Sequence, residues 1–276
     1  MTTNQTIALA VTIAIVLLLV VQIVILFYVR SALTDAEASD PVDEEPPPTR
    51  RAETAGLVGR LRRSGAEQHS RSVREIEAFI DIRALIPART TMPSTQGWAA
   101  SPLTVSALVR EIIETAPSTV VEIGSGGSSV WVGYCLERQA RARCISLEHD
   151  EEYAAKTRAE VVRHGLTKYV EVVHAPLTQV DVAGETFRWY DLTNVEGLSD
   201  IDIVFVDGPP GTTGPLARYP AFPMLRDRCA PGARFILDDA ARPDERAIVQ
   251  RWVREHGGVV SDRTPGPVGS VTVRVD

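Results

Sequence analysis

The chain has 276 residues, with 29 basic and 36 acidic side chains and a net charge of −7. That length allows one large domain or two small ones. Composition excludes a disordered chain, a disulfide scaffold and a polytopic membrane protein. A net-negative chain also argues against a nucleic-acid partner, because it repels phosphates.

The apolar residues are unevenly spread. Ile7–Val29 is a run of 23 residues without a charge, and only Thr12, Gln22 and Tyr28 carry a polar side-chain atom. As a helix it would be about 34 Å long, against a hydrocarbon core of about 30 Å. A cleaved signal peptide needs a basic start and a shorter apolar core. Met1–Thr6 has no Lys or Arg. Residues 1–30 are therefore expected to be an uncleaved transmembrane anchor. Arg30, Arg50 and Arg51 follow the run, which places the rest of the chain on the cytoplasmic side of the cell membrane.

Residues 31–49 read as a tether. Six acids from Asp35 to Glu45 precede Pro46-Pro47-Pro48, and such a stretch buries little. Residues 50–97 form a basic approach segment with helical spacing. Seven Arg between Arg50 and Arg74 face only Glu53 and Glu67. They serve either a solvated helix face or contact with anionic lipid. Ile76, Phe79, Ile80, Ile82 and Leu85 recur at helical intervals until Pro87 stops them.

From residue 98 onward strands and helices alternate. Val120–Ile123 is a strand that ends in Gly124-Ser125-Gly126-Gly127-Ser128, with a helix to about Glu137. Cys144–Leu147 ends in Glu148-His149-Asp150, before a helix to His164. Val170–Val173 is a third strand. Ile201–Val206 ends in Asp207-Gly208-Pro209-Pro210-Gly211, and Phe235–Leu237 ends in Asp238-Asp239. A helix over Arg242–His256 and a terminal antiparallel pair, Val259–Ser261 with Ser270–Val275, complete the pattern. Alternation of this kind predicts a doubly wound, mostly parallel α/β sheet. Ligands of such sheets lie beyond the carboxyl ends of the strands. Glu122, Gly124, Gly126, Glu148, Asp207, Asp238 and Asp239 are thus expected on one rim. Cys135, Cys144 and Cys229 are an odd, scattered set that fits free thiols in a reducing compartment.

The glycine turn lets backbone approach a ligand. A dinucleotide would want a glycine at the sixth position of the motif, where Ser129 stands, and the acid at Glu122 would repel a pyrophosphate. Glu148 follows Gly124 by 24 residues and can accept from both hydroxyls of a ribose. A nucleoside with a cationic, phosphate-free tail meets both demands.

Glu122, Gly124 and Gly126 in the pattern E-x-G-x-G, with Glu148 closing the next strand, resemble the class I S-adenosylmethionine-dependent methyltransferases. The likeness runs from about Trp98 to Asp276, and Val206–Gly211 with Ile236–Ala240 is similar to a bacterial small-molecule group. It implies a seven-stranded sheet with an antiparallel last strand, one domain over 98–276, and S-adenosylmethionine as cofactor. It implies Glu148 on the ribose, His149 beside the adenine, and Ser125, Gly126 and Ser128 at the methionine portion. Ser128 stands where many members carry glycine.

Asp207 and Asp238 are candidates for removing the acceptor's proton, and Asp207 also for contacting the cofactor. Metal-dependent relatives hold Mg²⁺ with an acid and an Asp-Asn pair at these strand ends. Asp207, Asp238 and Asp239 are accordingly candidate ligands of a hard cation. Asp239 stands where Asn is usual, so its charge needs a partner. The alternatives are one catalytic Asp without metal, or structural roles such as a helix cap. His174, Trp98, Arg218 and Tyr219 are weaker candidates for the rim. The activity expected is methyl transfer to a hydroxyl of a small molecule, sugar or lipid-linked acceptor. The alternatives are a tethered non-catalytic protein that keeps the fold, and a nicotinamide-dependent reductase.

Overall fold

The computed structural model describes residues 48–94, 99–139, 142–264 and 269–276. Ile7–Val29, the acidic stretch from Asp35 to Glu45, and Trp98 lie outside the described residues. Among the described residues no helix is long and apolar enough to cross a membrane. The chain divides into two compact units, Met1–Ser64 and Gly65–Asp276. The first unit contributes the start of helix α1, Pro48–Leu85, and the second holds all that follows. The expected tether thus gives way to helix at Pro48.

The second unit is built on a seven-stranded sheet in the order β3-β2-β1-β6-β7-β9-β8. Its strands are β1 (Thr119–Ile123), β2 (Arg143–Glu148), β3 (Val170–His174), β6 (Ile201–Val206), β7 (Cys229–Leu237), β8 (Val259–Arg263) and β9 (Val271–Arg274). The first five run parallel, and β9 pairs antiparallel with both β7 and β8. This agrees with the expected doubly wound sheet. After β1 the chain moves outward to β2 and β3, then crosses to β6 and β7 on the other side. The switch in strand order falls between β1 and β6, which opens a crevice at their carboxyl ends.

Alternation along each strand divides the core. Val121, Ile123, Val204, Val206, Phe235 and Leu237 face one side, with Phe222 of α5 (Ala221–Leu225) and Trp252 of α6 (Pro243–His256). Val120, Ile203, Phe205 and Ile236 face the other. There they meet α2 (Pro102–Thr115) and α3 (Gly127–Glu137). Each face is a continuous dry layer because β1 and β6 are buried along almost their whole length. Helix starts are fixed locally. Ser101 accepts from the Thr104 N–H at 3.2 Å ahead of Pro102. Asp150 accepts from Tyr153 at 3.0 Å and opens α4 (Glu151–Arg163), whose first turn carries Glu151 and Glu152.

One element has no counterpart in the sequence pattern. Between β3 and β6 the chain forms an antiparallel hairpin, β4 (Leu177–Val182) with β5 (Glu185–Tyr190). It packs Phe187, Trp189 and Tyr190 into the first core layer. The apolar spacing in α1 also resolves differently from a single buried stripe. Ala78 and Ile82, with Ile86 just past its end, are buried, whereas Ile76 is 60% and Ile80 59% exposed. Cys135 and Cys144 are buried and Cys229 half-buried, all as free thiols.

Candidate active site

A cavity of about 1220 Å³ lies over the carboxyl ends of β1, β2, β6 and β7. Gly124, Ser125, Glu148, His149, Asp207, Asp238 and Asp239 all line it. Four separate strand ends are thus brought to one rim, as the sequence pattern implies. A further wall comes from one face of α1, where Gln68, Arg71, Ser72, Glu75, Ile76 and Phe79 recur at helical intervals. Glu75 ties this helix to the rest by accepting from the Leu103 N–H at 3.1 Å.

The backbone at the switch point is tight. Gly124 has φ +97°, and a β-carbon there would lie 3.2 Å from the Asp207 carbonyl carbon and the Gly208 nitrogen. A β-carbon on Gly208 would meet the Tyr190 hydroxyl at 2.2 Å. Glycine at these positions lets the β1 and β6 ends approach each other.

Glu122 does not reach the cavity. It is wholly buried and points to the α3 face of the sheet. Its Oε2 accepts from Ser129 and from Ser146 Oγ, the latter at 2.7 Å. Ser129 Oγ in turn accepts from the Gly126 N–H at 3.1 Å. The acid of the motif therefore braces the glycine turn from beneath. Burial pushes the Glu122 carboxyl above its usual range, and the serine hydroxyls offset only part of that. Ser128 is also buried, and neither it nor Gly126 lines the cavity.

Glu148 is built differently. It is 5% exposed and lines the cavity. Its Oε2 accepts from the Ser125 N–H at 3.0 Å and the Ser125 hydroxyl at 3.1 Å. Its Oε1 accepts from the Asp150 N–H at 3.1 Å and lies 2.9 Å from His149 Nδ1. Burial raises the carboxyl, but the His149 ring and these N–H donors outweigh it and hold Glu148 below the ordinary glutamate range. The His149 ring stands edge-on to Tyr190, with centroids 5.9 Å apart. Tyr190 lines the same cavity, and its buried hydroxyl has no hydrogen-bond partner among the described residues. Burial, with Glu148 nearby, pushes that hydroxyl well above the usual tyrosine range. An ionised carboxylate, an open glycine turn and an unpaired buried hydroxyl fit a polar nucleoside ligand.

Across the cavity the carboxylates crowd together. Asp207, Asp238 and Asp239 can bring one oxygen each within 4.8 Å of one another. Strand alternation would send Asp238 and Asp239 to opposite faces. Asp239 has φ +58°, a left-handed turn that brings both to one side. Thr104 Oγ1 donates to Asp238 Oδ1 at 2.6 Å. Burial raises the carboxyl of Asp238 above the aspartate range despite that bond. Burial, with Asp238 beside it, raises Asp207 further, and Arg218 offsets only part.

Arg218 supplies the charge that Asp239 needs. It is buried, and its Nη2 lies 3.3 Å from Asp207 Oδ1 and 3.2 Å from Asp239 Oδ2. Arg242 adds a second contact to Asp239 Oδ2 at 2.8 Å. The three acids therefore sit as a hard cation would want, but a guanidinium already stands among them. This donor set does not fit an added divalent ion.

Arg218 lines the cavity as expected, but Tyr219 does not. Tyr219 is buried on the α6 side, donating to Glu255 at 2.7 Å and lying 2.8 Å from His256. His174 also stays off the cavity wall. Its Nδ1 lies 3.0 Å from Glu151, and its Nε2 is 3.3 Å from the His149 carbonyl. Thr104 and Tyr190 are functional candidates that the sequence does not single out. No local motif marks them, because both are carried in by packing.

Residues 121–240 match a family model described as a methyltransferase domain. No curated protein matches the chain. Solved structures that share the fold include two methyltransferases. An O-methyltransferase from Bacillus cereus in complex with SAH is 18% identical, over 77% of this chain and 97% of its own, with TM-score 0.51. The SAH-bound Podospora anserina methyltransferase PaMTH1 is 15% identical, over 73% of this chain and 88% of its own, with TM-score 0.51. The chain carries a methyltransferase domain and is a methyltransferase.

Proposed function

We propose that the chain transfers a methyl group from S-adenosylmethionine to a hydroxyl of a small-molecule, sugar or lipid-linked acceptor. The single observation that carries this reading is one cavity with two unlike carboxylate groups. Glu148 is kept ionised beside a glycine turn, and Asp207 with Asp238 is kept proton-avid opposite. SAH in the two structural neighbours supports the donor. The inward turn of Ser129 toward Glu122 weighs against a nicotinamide dinucleotide, which would want open backbone there.

When bound, the cofactor supplies an electrophilic methyl on a positive sulfur. The protein's part is to hold donor and acceptor in line and to remove a proton. Glu148 would take the ribose hydroxyls, with the Gly124–Gly126 turn against the rest of the donor. Asp238 faces the cavity with one oxygen fixed by Thr104, so its carboxylate is preset to accept the acceptor's proton. Its raised proton affinity brings it nearer to neutrality, as a general base requires. The acceptor oxygen then takes the methyl, and the carbon–sulfur electron pair stays on sulfur. The wall from α1 offers Arg71, Ile76 and Phe79, a mixed polar and apolar surface suited to an amphipathic acceptor.

Ile7–Val29 is read as a membrane anchor that keeps the domain on the cytoplasmic face. Its support is the uncharged run of 23 residues. Confinement to a surface would raise the local concentration of an embedded acceptor. Calorimetry on the full chain with S-adenosylhomocysteine (SAH), and separately with NADH, tests the donor. Saturable 1:1 heat is expected with the first only, and heat with NADH alone would sink the reading. Deleting residues 1–49 should spare turnover of a soluble acceptor and slow that of an embedded one. Equal rates on the embedded acceptor would remove the case for anchoring.

A further inference from the structure

Arg218 comes from the loop after β6 yet reaches under the ends of both β6 and β7. Its Nη1 donates to the Asp238 carbonyl at 3.1 Å, and its Nη2 donates to the Asp207 carbonyl at 3.0 Å. Its Nε lies 3.5 Å from the Pro209 carbonyl and 4.0 Å from Glu245 Oε1. Every nitrogen of the guanidinium is thus tied to the frame of the site.

We infer that this guanidinium occupies the place of a divalent cation in the Asp207–Asp238–Asp239 triad, and that the site takes no divalent metal. Nη2 stands between one oxygen of Asp207 and one of Asp239. A small divalent ion bonded to those same oxygens at about 2.1 Å would sit against a positive nitrogen in a buried space, where screening is weak. The guanidinium cannot withdraw without leaving a buried cation unpaired and three main-chain carbonyls stripped of a donor. Asp239 Oδ2 is further occupied by Arg242, and Asp238 Oδ1 by Thr104.

The consequence for chemistry is direct. No metal lowers the acceptor's proton affinity, so a carboxylate must take the proton itself. That step rests on the methyl-transfer reading; the occupancy of the triad does not. Arg218 is here a positioning residue, which fixes Asp207 and Asp239 as a bound ion would.

The test is a Mn²⁺ titration of the full chain, read by electron paramagnetic resonance of free Mn²⁺, with and without SAH. Thermal unfolding with and without Mg²⁺ is measured alongside. Wild type is expected to show no saturable site and no Mg²⁺-dependent shift. Weak binding that is unchanged in Asp239→Asn reports surface carboxylates and agrees with the inference. Arg218→Met, if folded, is expected to gain one Mn²⁺ per chain, and a folded variant that gains none counts against it. If that variant does not fold, wild type and Asp239→Asn decide. One tight Mn²⁺ per wild-type chain, lost in Asp239→Asn, overturns the inference. SAH calorimetry on the same samples separates the two readings. Absent SAH heat would fail the cofactor assignment and leave the Mn²⁺ result standing.

Discussion

The two rims of the cavity solve opposite problems with the same functional group. At the end of β2, one carboxylate is surrounded by donors, two N–H groups and a serine hydroxyl, with a histidine ring nitrogen 2.9 Å away. Burial raises Glu148, the donors outweigh it, and the group stays ionised. At the ends of β6 and β7, three carboxylates and Glu245 share two guanidiniums. Burial dominates there too, but the neighbours are mostly negative, so Asp207 and Asp238 hold protons more tightly. Burial alone does not set a carboxyl's role. The count of donors against like charges does, and a pair pushed apart in this way supports the proposed split between a fixed acceptor and a proton-taking base.

The contrast can be broken at its most crowded point. Arg218→Met leaves that rim without its central cation. An unpaired buried charge cluster costs about 3–5 kcal/mol. Urea unfolding should show a loss of that size, and one below about 1 kcal/mol would mean the guanidinium does not hold the rim together.

Next is Asp238→Asn, which keeps shape and removes the proposed base. Turnover should fall by roughly 10²- to 10⁴-fold, the usual worth of a positioned base. SAH affinity should stay within about twofold in calorimetry. A variant that turns over normally would move the base to Asp207.

The opposite rim is probed by Glu148→Ala. Losing a charged acceptor should weaken SAH by about 1–3 kcal/mol, and turnover at saturating donor should change less than donor affinity.

The smallest effects are in pH. Asp207 and Asp238 bind protons more tightly in the native state than in the unfolded chain, so their contribution falls as pH rises above the unfolded value of about 4. Glu148 acts in reverse. Its contribution is present above its unfolded value and is lost as pH falls through its lowered folded one. Unfolding of Asp238→Asn against pH should show a shallower decline toward neutrality than wild type. Glu148→Ala should lose less than wild type on acidification. Parallel curves for all three would show that the rims do not differ in proton affinity.

Much of this is legible in the sequence because the rim of a parallel sheet is written at strand ends. β6 is found at Ile201–Val206 as the apolar run implies, and α4 is capped by Asp150 where the pattern places its start. Glu148, Asp207, Asp238 and Asp239 reach one cavity for the same reason. What escapes has physical causes. The β4–β5 hairpin is short and half exposed, so its periodicity is diluted, and Trp189 is buried only by packing against the core. Glu122 is expected on the rim, yet strand parity turns it inward to Ser129 and Ser146. Arg218 lies in a Gly-Pro loop whose path no local rule fixes. Its role appears only when the β6 and β7 ends stand side by side.

The division of labour between the rims is tested most directly by measuring SAH dissociation constants and turnover together in wild type, Glu148→Ala and Asp238→Asn. Wild type is expected to bind SAH with saturable heat. Glu148→Ala should lose affinity with little change in turnover at saturating donor, and Asp238→Asn should lose turnover with affinity intact. Absence of SAH binding by wild type, or a loss of both quantities together in each variant, would contradict that division.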